Sequence, residues 1–160
     1  MYLAGTQEIE QDGNQGYRLY FRYRVRGIPV ILGNKEVGEY VTIEVFNDHV
    51  RSYKYYARRE MNKIPNRIIE EEKMLAAYDV IDKNYNYFAQ IYLRDNNLVE
   101  EEVTLNITND VLASIEDITL AYFDPCLMEQ DEKLIPVWAI RYNGTTYAFN
   151  AYNAILVYER

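Results

Sequence analysis

Nucleophile–base chemistry on thiol and imidazole would have to use Cys126 and His49, because the 160-residue chain contains one cysteine and one histidine. His49 follows Asn47-Asp48, a turn pair, and Cys126 follows Pro125. Both read as loop residues, and this ligand supply excludes a thiolate–imidazole metal centre. Carboxylates are plentiful, in Glu70-Glu71-Glu72, Glu100-Glu101-Glu102, Glu116-Asp117 and Glu129 to Glu132. Acid–base work needs carboxylates held in separate environments that split their pKa values; runs of consecutive acids read as solvated faces and loops. No calcium loop and no glycine-rich phosphate loop is present. The sequence therefore predicts no catalytic residue, no metal and no cofactor: the chain reads as a non-enzyme. A hydrolase using dispersed carboxylates would need a buried acid pair in a cleft.

The arginines Arg18, Arg22, Arg24 and Arg26 alternate with Tyr17, Leu19, Phe21, Tyr23 and Val25. On a strand, alternate residues point to opposite faces, so the first set shares a face with Tyr20 and the second forms an apolar face. The expectation is a wet, charge-paired arginine side, with Glu44 as a cross-strand partner, and a core side opposite. Rings and cations on opposite faces do not suit a nucleic-acid strand. The arginine face, with Tyr53 and Tyr55, is instead the candidate contact surface for another protein. Residues 1–66 hold ten Lys/Arg against eight Asp/Glu, a balance of +2, and residues 67–160 hold seven against seventeen, a balance of −10. The acidic second part repels nucleic acid and anionic lipid.

The elements that must carry these residues are mostly strands. Seventeen tyrosines suit half-buried sheet positions. Residues 1–16 lack periodicity and read as a frayed start, followed by one α+β domain over 17–160, with a candidate division into 17–63 and 64–160. After Tyr17 to Arg26, Gly27-Ile28-Pro29-Val30 bends or ends the strand. Tyr40 to Phe46 alternates again with Val41, Ile43 and Val45 inward, and Val50 to Tyr56 is a further strand. The period then changes: Asn66 can cap a main packing helix from Arg67 to about Asp82. Tyr87 to Leu93 fits helix or strand, with helix preferred. Val103, Leu105 and Ile107 alternate as a short strand, Thr108 to Ser114 fits a short helix, and Ile118 to Tyr122 a strand stopped by Asp124-Pro125.

The sharpest local signal is Asn143-Gly144, the favoured pair for a two-residue hairpin turn, joining Leu134 to Tyr142 with Thr145 to Ala151. That turn sets Tyr142 opposite Thr145, Ile140 opposite Tyr147, Trp138 opposite Phe149 and Pro136 opposite Ala151. Trp138, Ile140, Tyr147 and Phe149 then share one face as core. Asn153-Ala154 turns the chain into a last strand, Ile155 to Tyr158. The segment from Gly27-Ile28-Pro29-Val30 to Phe46-Asn47 echoes the one from Leu134-Ile135-Pro136-Val137 to Tyr152-Asn153, a spacing that would make two related β-rich halves.

Tyr20 to Val30, Val41 to Val45, Arg51-Ser52-Tyr53, Ile118 to Tyr122, Ile135-Pro136-Val137-Trp138 and Tyr147 to Tyr152 together resemble the YycH/YycI family of extracytoplasmic regulators and relatives with PepSY-like units. The resemblance covers most of residues 17–158 and consists of core and turn residues. It implies an antiparallel α+β domain outside the cell membrane, tethered by a transmembrane helix that this chain lacks, with a membrane histidine kinase of a two-component system or a related regulator as its partner. Here Asn153-Ala154 stands where the family-like turn carries Gly. A peptide or ligand binder working through a sheet edge or groove is the other reading.

Overall fold

A computed structural model of the chain describes residues 1–33, 39–47, 49–56, 74–98, 105–126 and 133–160. It is α+β, with ten strands and three helices among those residues. The chain forms two compact units, Met1–Ile68 with Tyr122–Ile135, and Ile69–Ala121 with Pro136–Arg160. The second thus receives the chain in two passes, which a single division at residue 63 does not describe.

In the first unit, β1 (Tyr2–Gln11), β2 (Asn14–Arg22), β5 (Val41–Phe46) and β6 (His49–Tyr55) form an antiparallel sheet in the order β1-β2-β5-β6. The frayed start expected for residues 1–16 is corrected: they make β1 and the beginning of β2. The reason is local, since Asp12 and Gly13 take φ 52° and 77° in a two-residue turn that pairs Gln11 with Asn14. A second left-handed pair, Arg26 and Gly27 at φ 53° and 84°, joins β3 (Arg24–Val25) to β4 (Ile28–Leu32). Arg26 is therefore a turn residue rather than a member of the arginine row. β4 runs parallel to the last residues of β7 (Ile115–Asp124), pairing Val30 with Tyr122 and Leu32 with Asp124. Val25, Val30, Leu32, Tyr40, Val41, Tyr122 and Phe123 are buried. So is Asp124, whose carboxylate accepts the Tyr40 hydroxyl at 2.8 Å and the Cys126 N–H at 3.1 Å.

The second unit packs α1 (Ala77–Lys83), α2 (Tyr85–Asp95) and α3 (Leu105–Ala113) with β8 (Ile135–Tyr142), β9 (Thr145–Asn150) and β10 (Leu156–Glu159), and β8 is followed in the sheet by β7. The Asn143-Gly144 hairpin has the register expected: Tyr142 faces Thr145, Ile140 faces Tyr147 and Trp138 faces Phe149. Pro136 meets Ala151 through the Ala151 N–H, 2.9 Å from the Pro136 carbonyl. Ile140, Tyr147 and Phe149 are buried and pack with Val80, Phe88, Ile91, Leu93, Ile107 and Val111 of the helices, and Trp138 is partly buried against the same cluster. Phe88 lies 5.6 Å from Phe149 and 5.2 Å from Tyr142 between ring centroids, and Tyr87 meets Tyr147 edge-on at 5.8 Å. Aromatic pairs in these geometries add about 0.5–1.5 kcal/mol beyond area burial.

Helix boundaries depart from the periodic reading. Asn66 and residues 67–73 lie outside the described residues. In the part that is described, residues 74–76 are not helical and α1 begins only at Ala77. Leu75 is tied to the sheet at both ends: its N–H donates to Ala151 O at 2.8 Å and its carbonyl accepts Trp138 Nε1 at 2.9 Å. Backbone groups committed to a sheet cannot also serve a helical turn. Among the described residues there are three helices. Tyr87 to Leu93 is helical, as preferred, whereas Leu105 and Ile107 lie in α3, not in a strand; Ile107 and Val111, four residues apart, are both buried on its inner side. The echo between the two segments does not extend to topology, since β8 and β9 form a hairpin while β4 and β5 belong to different sheets. No described helix is long and apolar enough to cross a membrane.

One polar group in this core stands out. The Tyr142 hydroxyl is buried and finds no hydrogen-bond partner among the described residues. Burial pushes its pKa above the ordinary tyrosine value, with the Ser114 hydroxyl opposing, but Ser114 Oγ donates instead to Asp110 O at 2.8 Å. Tyr142→Phe should then cost nothing or raise stability by up to about 1 kcal/mol, whereas Phe149→Ala should cost roughly 3–5 kcal/mol. Urea midpoints of the two variants test this pair, and a clear loss of stability in Tyr142→Phe would mean that the hydroxyl is bonded.

Candidate interaction surface

The strand registers of the first sheet place its side chains in transverse rows. Leu3, Phe21, Val41 and Tyr55 form one row, Thr6, Leu19, Ile43 and Tyr53 the next, and Glu8, Tyr17, Val45 and Val50 the third. All belong to one face, because residues alternate across each strand. On the opposite face lie Gly5, Tyr20, Thr42 and Lys54, then Gln7, Arg18, Glu44 and Ser52, then Ile9, Gly16, Phe46 and His49.

The charge pairing expected on the arginine side is present, with Glu44 as the cross-strand partner of Arg18, but the covering of the two faces differs from the expectation. The arginine side is the more closed one. Glu44 is only 6% exposed. Arg18 reaches Glu44 Oε1 through Nε at 2.8 Å, and Arg51 reaches Oε2 through Nη2 at 2.7 Å, so both oxygens are occupied. Arg18 stands opposite Glu44 in register, and a bulge between Glu44 and Val45 brings Arg51 to the same side. The Arg18 hydrogen bond is the main cause that holds the Glu44 carboxyl below the usual glutamate range; desolvation opposes it and Arg51 adds to it. Arg22 makes a two-pronged pair with buried Glu39, its Nε 2.7 Å from Oε2. Phe46 lies under the Arg51 guanidinium at 5.0 Å, and the ring so closely covers Gly16 that a Cβ there would meet Phe46 Cδ1 at 2.7 Å.

The apolar side is the open one. Leu3 is 51% exposed, Tyr17 54%, Tyr53 61%, Tyr55 53% and Val50 58%, while Leu19, Phe21, Ile43 and Val45 are half-buried and Val41 alone is closed over. Val41, Ile43 and Val45 were expected to face a core together, and Tyr17 with them. Among the described residues no helix belongs to this unit, and the margins of the apolar stripe are exposed. The Tyr53 and Tyr55 rings stand 6.3 Å apart and nearly parallel, at 16°. The Tyr55 hydroxyl lies 3.2 Å from that of Tyr23, and burial, then this hydrogen bond, pushes the Tyr23 pKa up to about 12.

The six residues expected to form one contact surface are thus divided. Arg18 and Arg22 hold carboxylates, Arg24 stacks over the Tyr2 ring at 3.9 Å, Arg26 turns the chain, and Tyr53 and Tyr55 lie on the opposite face from Arg18 and Arg22. Leu3, Tyr17 and Val50 join the tyrosines instead. Leu3 was hidden in the segment read as frayed, although Asp12-Gly13 is as favourable a hairpin pair as Asn143-Gly144. His49 begins β6 and, with Gln11, Asp12, Asn14, Phe46, Asn47 and Arg51, lines a shallow hollow of 160 Å³. Among the described residues no three His, Cys, Asp or Glu side chains are placed to hold a metal ion. Glu116 pairs with Arg141 at 2.8 Å and Asp117 accepts the Thr119 hydroxyl; the other acidic runs lie outside the described residues.

Glu44 makes the fold acid-sensitive with a definite sign. Its folded-state pKa lies below its unfolded value, so its contribution is complete above the ordinary glutamate pKa of 4.5 and is lost as pH falls through the folded value. Glu44→Gln should be less stable than wild type at neutral pH, and its urea midpoint should decline less on acidification; identical declines would exclude Glu44 as the cause. At high pH the sign reverses for Tyr23, whose raised pKa costs stability as pH climbs from 10 towards 12. Absorbance titration should show a late-titrating phenol component, part of which moves to lower pH in Tyr55→Phe. Set against protein-family models, curated proteins and solved structures, the chain matches none, and the functional reading rests on this open sheet face.

Proposed function

We propose that the chain is a non-catalytic interaction domain that docks another protein on the open apolar face of its first sheet. One observation carries the reading: Leu3, Tyr17, Val50, Tyr53 and Tyr55 are all more than half exposed on the same face of one continuous four-stranded sheet. Contiguous apolar surface of this kind marks protein contact, since leaving it in water forfeits about 25 cal/mol per Å². Tyrosine suits such a face, offering large area with little side-chain entropy to lose. The buried acids do not argue for catalysis. Glu44 is saturated by two guanidinium groups and held ionised, which is the wrong state for a general acid. The resemblance to YycH/YycI regulators supplies the setting: a domain outside the membrane, tethered in the full-length protein, in contact with a membrane sensor kinase or a related regulator.

A second reading is favoured by the ten-residue outer strand β1, which borders the same sheet and can accept an added strand from a peptide. Hydrogen exchange separates the two, because strand addition protects β1 amides and face docking does not.

A photo-cross-linking amino acid placed at Tyr53 or Tyr17 in the producing cells should yield a discrete cross-linked protein, while the same group at Tyr78, 72% exposed in the second unit, should not. Cross-linking from Tyr78 alone, or none from either face position, would overturn the proposal.

A further inference from the structure

The two faces of the first sheet differ in charge as sharply as in polarity. The lysines and arginines of its four strands, Arg18, Arg22, Arg51 and Lys54, all serve the opposite face. The open face carries Glu8 in its third row and Glu10 one step beyond, paired with Gln15. Both carboxylates are exposed, and neither makes an ion pair among the described residues. Among the described residues the face is therefore apolar through its middle, acidic along β1, and without lysine or arginine. At its other margin, on β6, Tyr53 and Tyr55 present nearly parallel rings 6.3 Å apart. Exposed tyrosine rings attract guanidinium groups, which stack on their faces and are more weakly hydrated than ammonium.

Resting on the interaction reading above, we infer that the occupant of this face is a segment of a partner protein in which arginines are interleaved with aliphatic or aromatic side chains. Its apolar residues cover Leu19, Phe21, Ile43 and Val45. Its cations meet Glu8 and Glu10 on one side and the Tyr53–Tyr55 rings on the other. A strongly acidic segment is disfavoured, since it would set carboxylate against carboxylate with no cation among the face's described residues to offset them. A second copy of this chain would bring the same acidic margin to the contact.

The test uses the full chain and three fluorescent peptides of identical leucine and tryptophan content, whose intervening positions are arginine, serine or glutamate. Anisotropy titration at low salt should rank them arginine, serine, glutamate, with about tenfold between the extremes, and the gap should narrow as salt is raised. Glu8→Gln with Glu10→Gln should weaken the arginine peptide towards the serine one while leaving the serine peptide unchanged. Tyr53→Ser with Tyr17→Ser should weaken all three. Equal binding of arginine and glutamate peptides would overturn the charge assignment while leaving face docking intact. Failure of the arginine peptide to bind at all would overturn it also. A wild-type dimer in sedimentation that Tyr53→Arg converts to monomer would assign the face to a second copy instead.

Discussion

Glu44 is held between Arg18 and Arg51, and the arrangement of the first sheet follows from that. A carboxylate withdrawn from water is tolerated only when its charge and both oxygens are answered. Here the answer comes from a residue directly opposite on β2 and from one that a bulge in β6 carries around to the same side. The arginine stems lie over the sheet and shield the acid they bind, in the way long charged side chains cover apolar surface while their heads stay wet. Once the charged residues have closed their own face, the aromatic and aliphatic residues are left on the other. An unusual distribution results, with ions against the sheet on one side and tyrosines in water on the other.

The second unit shows the more ordinary solution. Phe88, Tyr142, Tyr147 and Phe149 interlock with aliphatics from three helices, and a tight turn fixes which of them meet. Such a core places its energy in close packing and offers little for recognition. The first unit, by contrast, leaves apolar side chains exposed on one face of its sheet. That difference is the physical ground for proposing contact on the first sheet.

Electrostatics and apolarity are separated here, not mixed. Because Arg18, Arg22 and Arg51 are committed to buried acids and Lys54 lies on the opposite face, the open face keeps an acidic margin that no described residue of the sheet neutralises. A surface of this kind selects by charge what it holds by area: burial supplies affinity, and the sign of the approaching segment supplies discrimination.

Local chemistry determined much of this protein in advance. Asn143-Gly144 demands left-handed backbone, so the hairpin and the meeting of Trp138 with Phe149 and Ile140 with Tyr147 follow from short-range sterics alone. Strict alternation through Tyr17 to Arg22 likewise established a strand with a charged and an apolar face, and the shortage of histidine and cysteine limited the chemistry. What alternation cannot convey is which face is covered, since that depends on what other segments have to offer. Tertiary structure closed the arginine face more than the apolar one, adding Glu39 and Arg51 to the Arg18–Glu44 pairing that the alternation suggested, and pulled Leu75 out of its helical period by hydrogen bonds to Ala151 and Trp138. It also put Leu3 beside Phe21, through a turn whose Asp12-Gly13 signal was present but stood in a stretch without apolar periodicity. Backbone preferences are local and legible; burial is a property of the assembled chain.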